Sequence, residues 1–207
     1  SRMVHLCTLE PAAPWSVLAV TFTNKAANEL RERLSAFGIQ GAESVWAMTF
    51  HSACVRILRR DIDRLGFSRD FTIYDTDDSK RVIKDILKEL NIDEKKLTPR
   101  EVLSAISNAK DAMESHQDYS RRWKDSSDWR KEAIAKIYTR YVHRLAEANA
   151  LDFDDIILHA VTLLQQEGEV RDYYRRKFRY VLIDEYQDTN RLQYLLMKQL
   201  VGEKGNV

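Results

Sequence analysis

The stretch Tyr180–Asn190 reads YVLIDEYQDTN and is the most informative part of the chain. Its first four residues, Tyr180–Ile183, form a short apolar run that predicts a buried strand. The acidic pair Asp184 and Glu185 stands where that strand would end. Ligands of open parallel sheets bind beyond the carboxyl ends of the strands. The pair is therefore a candidate site for a metal ion and an activated water.

The side chains of neighbouring residues in an extended chain point in different directions, so the two carboxylates can have different roles. One would hold Mg²⁺ while the other orients the water that attacks a nucleotide. The alternative is that Asp184 and Glu185 cap the helix predicted around Leu192–Leu200, because acidic residues favour helix N-termini. The pair by itself leaves both interpretations open.

Upstream, the pattern of a strand followed by a helix occurs twice. Val17–Thr21 (VLAVT) is a short buried-strand signal, and the helix-capping residues Thr23 and Asn24 follow it. Ser44–Thr49 (SVWAMT) predicts a second strand, and Phe50–Leu65 predicts a helix with one apolar side. Strands and helices that alternate through short loops indicate an α/β fold with a parallel sheet.

The middle of the chain has a different character, because residues 76–177 show helical spacing and no strand signal. Thr98–Glu101 is a capping box with proline in the first turn. Polar residues Ser115–Asp128 predict a loop that carries Trp123. Further helices are predicted around Val82–Leu90 and over Trp129–Ala148 and Asp152–Gln166. The chain thus predicts an all-helical insertion inside an α/β domain.

Composition narrows the class of protein. The 207 residues include only six glycines and three prolines, which is typical of a helix-rich chain. A net charge of +1 means that any nucleic-acid binding must come from local basic patches. Cys7 and Cys54 show no metal-ligand spacing, which favours a reduced, cytoplasmic protein. No apolar run approaches the ~20 residues that span a bilayer, and Ser1–Ala13 lacks a signal-peptide pattern.

Four strings together resemble a known family. Ile183–Asn190 (IDEYQDTN) resembles the Walker B motif, motif II, of UvrD/Rep/PcrA-type superfamily 1 DNA helicases. Thr21–Ala27 (TFTNKAA) is similar to their motif Ia, and Thr49–Ser52 (TFHS) to their motif Ib. Leu151–Ile156 (LDFDDI) is also similar to a stretch of these proteins. Their order and approximate spacing match the family across residues 14–207.

The resemblance implies a partial RecA-like parallel sheet, of the P-loop NTPase type, interrupted by an all-helical insertion subdomain. Residues 1–13 would be a non-matching tail, and residues 14–75 the first part of the motor domain, 1A. Residues 76–177 would be the helical insertion, 1B. Residues 178–207 would return to the motor domain with the Walker B strand.

The resemblance also implies roles for single residues. Asp184 would bind Mg²⁺, Glu185 would be the catalytic base for ATP hydrolysis, and Gln187 would couple the nucleotide site to DNA. Two loops would lie along the single-stranded DNA track, with the contacts Phe22, Thr23 and Asn24 from the first and Thr49, Phe50 and His51 from the second.

Each of these residues also has an ordinary interpretation. Phe22 and Phe50 each follow an apolar strand and could belong to the core. Thr23 could be a simple helix cap, and His51 a surface histidine. A further DNA candidate is the group Arg121, Arg122, Trp123 and Lys124, because the insertion contacts duplex DNA in some relatives. Basic runs of this kind are more often a solvated face.

By resemblance the chain is expected to be a fragment of an ATP-dependent 3′→5′ DNA helicase. The intact protein would translocate on single-stranded DNA and unwind duplex in DNA repair or replication. Its partners would be single-stranded and forked DNA and ATP with Mg²⁺, with no membrane. Two alternatives stay open: a non-catalytic DNA- or protein-binding module, and the helicase part of a recombination helicase–nuclease.

The Walker A phosphate loop, GxxxxGK[ST], does not occur in the sequence, and no glycine precedes Gly38. We therefore expect the fragment alone to be inactive and to bind neither ATP nor Mg²⁺ tightly. A motor sheet without its first strand would expose an edge, which predicts self-association.

Overall fold

The computed structural model describes residues 13–124, 126–183 and 189–201. The chain divides into two compact units, Ser1–Arg64 with His159–Val207, and Leu65–Leu158. The second unit is thus inserted within the sequence of the first. The boundaries of the insertion taken from the family, 76 and 177, stay a prediction. Within the described ranges, no helix is both long enough and apolar enough to cross a membrane.

The elements follow one another along the chain as β1 (Val17–Thr21), α1 (Asn24–Ala36), β2 (Trp46–Thr49), α2 (Phe50–Asp61), β3 (Thr72–Ile73), α3 (Thr76–Glu89), α4 (Pro99–Asp111), α5 (His116–Trp123), α6 (Trp129–Glu147), β4 (Ala150–Leu151), α7 (Phe153–Gln166), α8 (Gly168–Lys177), β5 (Tyr180–Ile183) and α9 (Arg191–Val201).

The sheet of the first unit runs in the order β2–β1–β5, and both pairings are parallel. This confirms the predicted α/β fold class and the predicted strands β1 and β5. Every residue of β1 is buried, as expected for a strand of a parallel sheet, which is usually covered on both faces. Val17 and Ala19 share a core cluster with Leu34 of α1, so that helix covers one face of the sheet.

Two predicted boundaries move by a few residues. The strand predicted over Ser44–Thr49 begins at Trp46, because Ala42–Ser44 forms a 3-10 turn. The helix predicted over Phe50–Leu65 ends as α2 at Asp61 and continues for one 3-10 turn. Both ends are short stretches in which local hydrogen bonding, and not apolar spacing, sets the conformation.

Helix α8 is absent from the sequence-based prediction. Its buried residues are Val170 and Tyr174, one turn apart. The ring of Tyr174 packs against Trp46 at 6.3 Å and against Phe178 at 5.9 Å. Two apolar positions give a weak periodic signal, and the burial that stabilises α8 comes from residues distant in sequence.

The second unit is built around α3, α4 and α6, which share one apolar cluster that includes Ile83, Val102 and Ile137. The capping box predicted at Thr98 is confirmed, with Thr98 Oγ1 accepting from the Glu101 amide at 3.2 Å. The two hydrogen bonds of a capping box satisfy backbone N–H donors that would otherwise lack partners at the start of the helix.

The prediction of a loop over Ser115–Asp128 is wrong, because His116–Trp123 forms α5. The hydroxyl of Ser115 accepts from the Asp118 amide at 3.1 Å and caps the helix. Tyr119 is buried and its ring lies 5.9 Å from that of Tyr138 on α6. A short polar helix with one buried aromatic face gives too few apolar positions to show a period.

The prediction that residues 76–177 contain no strand is also wrong. β4 lies in that range and pairs in parallel with β3, with Thr72 opposite Ala150 and Ile73 opposite Leu151. Two residues are too few to show the alternation of a strand. This pairing depends on residues far apart in sequence, so no local pattern predicts it.

Candidate functional site

The carboxyl ends of three parallel strands meet at one edge of the sheet. Thr21, the last residue of β1, lies opposite Thr49, the last residue of β2. On the other side, Val20 lies opposite Ile183, the last residue of β5. The strings quoted as motifs Ia, Ib and II therefore all leave the sheet at the same edge. In an open parallel sheet this is the edge where ligands bind.

The string quoted as motif II continues past the end of β5. Asp184, Glu185 and Gln187 lie outside the described residues, which stop at Ile183 and resume at Thr189. Their predicted roles in Mg²⁺ binding, catalysis and coupling stay predictions. The strand that precedes them, β5, ends beside β1.

The first loop turns directly from β1 into α1. Thr21 Oγ1 donates to the carbonyl of Thr23 at 3.0 Å, which fixes the turn. Thr23 Oγ1 in turn accepts from the Ala26 amide at 3.1 Å and caps α1. Thr23 and Asn24 are exposed, whereas Phe22 is half-buried. Two of the three predicted contacts in this loop thus face solvent at a helix N-terminus.

The second loop repeats this arrangement between β2 and α2. Thr49 caps α2 by accepting from the Ser52 amide at 3.2 Å, and its hydroxyl donates to Ser52 Oγ at 2.9 Å. Thr49 and His51 are half-buried. Phe50 is only 2% exposed, so its ring belongs to the core and does not face solvent.

A pair of aromatic rings joins the two loops. The rings of Phe22 and Phe50 lie 5.4 Å apart at an interplanar angle of 58°. Tilted pairs at this separation are favourable beyond the area they bury. The buried ring of Phe50 therefore holds the half-buried ring of Phe22 at the edge of the sheet.

The N-termini of α1 and α2 make this edge suitable for anions. Each helix presents first-turn amides and the positive end of its dipole beyond the sheet. Hydroxyls of Thr23 and Thr49 and the amide of Asn24 add neutral hydrogen-bonding groups. Such groups bind phosphate oxygens without reading a base sequence.

The basic group predicted as a further DNA contact is largely engaged within the second unit. Arg121 pairs with Asp118, and Arg122 pairs with Glu114 at 2.8 Å. The ring of Trp123 packs against the apolar cluster of this unit. These side chains lie on α5 and not on a loop, with Lys124 at its exposed end. A DNA contact by Arg121, Arg122, Trp123 and Lys124 stays a prediction.

A buried charge network lies in the second unit and includes Asp152 and Asp155 of the string LDFDDI. Lys110 is 1% exposed, and its Nζ lies 2.7 Å from Asp152 Oδ2 and 2.7 Å from Asp155 Oδ1. Tyr141 donates its hydroxyl to Asp152 Oδ2 at 2.8 Å. The Asp155 amide donates to Asp152 Oδ1 at 2.8 Å, which caps α7. The network thus ties the start of α7 to α4 and α6.

The charges in this network hold one another in the ionised form. Burial alone would lower the pKa of Lys110, but the carboxylates of Asp155 and Asp152 raise it above its ordinary value. Burial would raise the pKa of Asp152, but the Lys110 ammonium outweighs it and the pKa falls. The spacing of Asp152 and Asp155 is that of a capping box, a signal present in the sequence. Nothing in the sequence marks Lys110 as their partner.

The thiol of Cys54 is free and buried in α2. Burial raises the pKa of this thiol well above its ordinary value, so it stays protonated and unreactive near neutral pH. Cys7 lies outside the described residues.

Comparisons with known proteins match the whole chain. The family model for the UvrD/REP helicase N-terminal domain matches residues 1–207, a match that begins within the stretch predicted to be a tail. The chain is 47% identical over 206 residues to the ATP-dependent DNA helicase PcrA of Bacillus subtilis (strain 168). It is 46% identical to PcrA of Staphylococcus aureus (strain Mu50) and 43% identical to PcrA of Staphylococcus epidermidis.

In each of these alignments the match covers 100% of this chain and 28% of the relative. The chain therefore spans a little more than a quarter of the length of the helicases it resembles.

Proposed function

The chain belongs to the UvrD/REP helicase N-terminal domain family, and on that premise we propose that it forms part of the motor of an ATP-dependent DNA helicase. The observation that carries the proposal is the shared edge of β2, β1 and β5. That edge gathers two helix N-termini and the strand that leads to the acidic pair. A motor needs its polymer site and its nucleotide site to be coupled, so that one site can respond to the other.

The two loops at this edge would contact single-stranded DNA. The exposed residues Thr23 and Asn24, with Thr49 and His51, would bind phosphate oxygens through hydroxyl, amide and ring N–H groups and through the helix N-termini. Phe22 would supply a face on which a base can stack. Phe50 would act through Phe22, because its own ring is buried.

The acidic pair would serve the nucleotide. Carboxylate oxygens are the ligands that Mg²⁺ prefers, so Asp184 fits the role of metal ligand. When bound, Mg²⁺ neutralises charge that develops on the phosphates. Glu185 would accept a proton from, or orient, the attacking water. Gln187 would sense the nucleotide and transmit its state to the DNA loops.

The chain by itself is proposed to lack ATPase activity. No GxxxxGK[ST] segment occurs in its 207 residues, and such a loop cradles the nucleotide phosphates with backbone amides. The intact helicase would use ATP and Mg²⁺ to translocate with 3′→5′ polarity on single-stranded DNA and to open forked duplexes in repair or replication. A cytoplasmic location fits the free thiol of Cys54.

The first test is DNA binding by the 207-residue chain, measured as fluorescence anisotropy of a labelled single strand at low salt. Replacing Thr23 by Ala and Asn24 by Ala together should weaken binding about tenfold or more. The matched control is the exposed pair Ser35→Ala and Gln40→Ala, which also leaves the net charge unchanged and lies away from the carboxyl ends of the strands. Equal binding by the edge variant and the unmodified chain would refute the proposed track.

The second test is steady-state ATP hydrolysis with single-stranded DNA present. We expect no turnover above that of Glu185→Gln, because the phosphate loop is missing. Turnover that Glu185→Gln abolishes would overturn the proposal of inactivity and would show a working site. DNA binding without turnover is the outcome that the proposal expects of the chain in isolation.

A further inference from the structure

A second group of basic residues lies in the first unit, away from the motif loops. We call Arg56 and Arg60 of α2 and Lys177 at the end of α8 the cationic cluster. The guanidinium of Arg56 lies 4.2 Å from the ring centroid of Trp46, and Lys177 Nζ lies 4.5 Å from the same centroid. The guanidinium of Arg60 lies 3.5 Å from the ring centroid of Tyr173.

The cationic cluster is associated with the amino end of β2. Trp46 is the first residue of that strand, whereas Thr49 at its last position starts the second DNA loop. Three steps of extended chain separate these residues by about 10 Å. Lys177 likewise precedes β5, which begins at Tyr180. The cluster is therefore not part of the carboxyl edge described above.

The charges of the cationic cluster lack a matching set of carboxylates. Within the ranges that the structure describes, no acidic group forms an ion pair with Arg56 or Lys177. Arg60 has one acidic neighbour, with its Nε 3.6 Å from Asp61 Oδ2. Burial lowers the pKa of Lys177, and the nearby charges of Arg56 and Arg60 lower it further. Three like charges thus lie against the rings of Trp46 and Tyr173, and among the described residues one carboxylate, that of Asp61, forms an ion pair with them.

We propose that the cationic cluster is a docking site for an acidic segment of a partner protein, whose Asp or Glu carboxylates would lie between Arg56, Arg60 and Lys177. A guanidinium stacked on an aromatic ring keeps its in-plane N–H groups available, which suits bidentate contact with a carboxylate. Tyr173 is 37% exposed beside Arg60 and offers apolar contact to the same segment. Arginine and tyrosine are the residues most often found at the energetic centres of protein interfaces.

The geometry favours a protein segment over nucleic acid. Electrostatic binding of DNA draws on a run of phosphate contacts along an extended basic surface. The cationic cluster instead converges on two neighbouring rings, and it lies at the end of β2 opposite the DNA loops. A compact group of three cations fits a few carboxylates on a short peptide.

The test uses the full chain and a fluorescein-labelled peptide of alternating Glu and Asp with one central Leu, followed by anisotropy at low salt. We expect saturable binding that weakens as salt rises, because exposed charges are screened. The double variant Arg56→Gln and Lys177→Gln should weaken peptide binding about tenfold or more. The double variant Arg33→Gln and Lys198→Gln makes the same change of charge on exposed residues elsewhere in this unit and should bind normally.

Thermal unfolding of the same variants distinguishes a binding role from a structural one. If the cationic cluster is an anion-binding site without a bound anion, its three like charges repel one another. Lys177→Gln removes one of these charges and should therefore keep or raise the melting temperature. A structural cation–π role predicts the opposite, a lower melting temperature. That loss, or the absence of peptide binding at low salt, would overturn the proposal. The contrary result is that single-stranded DNA displaces the peptide and binds more weakly to the double variant Arg56→Gln and Lys177→Gln. That pair of results would assign the surface to nucleic acid and overturn the proposal.

Discussion

The rings of Phe22 and Phe50 lie 5.4 Å apart, which links the loop after β1 to the loop after β2. The ring of Phe22 is half-buried, whereas the ring of Phe50 is 2% exposed. Phe50 therefore stabilises the core, and Phe22 lies at the surface. Mutations of the two residues should therefore have different consequences.

Phe50→Ala should lower the free energy of unfolding by about 3–5 kcal/mol, because it removes a buried ring and leaves a cavity. Phe22→Ala should cost less stability but should weaken single-stranded DNA binding by about 1–3 kcal/mol, the usual contribution of one stacked base. Urea denaturation and anisotropy measure the two effects. Phe37→Ala is the control, because Phe37 is 62% exposed at the far end of α1. Equal losses of DNA affinity in Phe22→Ala and Phe37→Ala would contradict this assignment.

Thr23 should contribute both to the stability of α1 and to binding. Thr23→Ala removes the acceptor for the Ala26 amide and should destabilise the first unit by about 0.5–2 kcal/mol. Thr23→Ser keeps the oxygen and should retain most of the stability and DNA affinity. Denaturant midpoints with anisotropy on the same samples check both parts. A Ser variant as defective as the Ala variant would show that the methyl group, and not the hydroxyl, matters.

Lys110→Met should be among the most damaging single changes in the helical unit. It leaves Asp152 and Asp155 buried without their cation, and breaking a buried ion pair costs about 3–5 kcal/mol. Lys84→Met is the control, since Lys84 is exposed on α3 of the same unit. Chemical denaturation followed by circular dichroism measures both. Similar midpoints for the two variants would mean that the network contributes little.

The same network predicts how stability changes with pH. The pKa of Asp152 is lower in the folded chain than in the unfolded chain, so its stabilising effect is present above about pH 4 and is lost as pH falls further. The pKa of Lys110 is raised, so its contribution is complete below about pH 10 and is lost only above that. The contribution of this network to stability should thus be constant between about pH 5 and pH 9 and should fall in acid.

Urea midpoints measured across this range for the unmodified chain and for Asp152→Asn check the prediction. The variant should be less stable at neutral pH, and its loss of stability in acid should be smaller. An unchanged acid limb in Asp152→Asn would assign the acid sensitivity to other carboxylates.

The unpaired side of the edge strand β2 predicts self-association that depends on Arg31. In the described part of the chain β2 pairs only with β1, so its outer side is an edge. Arg31 Nε donates to the carbonyl of Ala47 in β2 at 3.1 Å and satisfies one acceptor of this strand. Arg31→Ala should increase association, because a free carbonyl on an edge strand can pair with another chain. Sedimentation over a range of concentrations, with Arg33→Ala as control, measures it; identical monomers throughout would contradict it.

The sequence was sufficient to predict those strands and helix caps that a local pattern encodes. The apolar run Val17–Thr21, the cap at Thr23 and the capping box at Thr98 each depend on residues that are neighbours in the chain, and each appears where predicted. Parallel pairing also followed from the alternation of strands and short helices. The structure adds that the three motif strings leave the sheet at a common edge.

Other features depend on residues that are distant in sequence. The burial of Phe50 against Phe22, the pairing of β3 with β4, and the partnership of Lys110 with Asp152 all join separate segments. A local pattern reports which residues are apolar or charged, but not which surfaces meet. By itself the sequence thus determined the family and the class of fold. Tertiary packing decided which side chains face solvent there, because burial and ion pairing arise only when the segments come together.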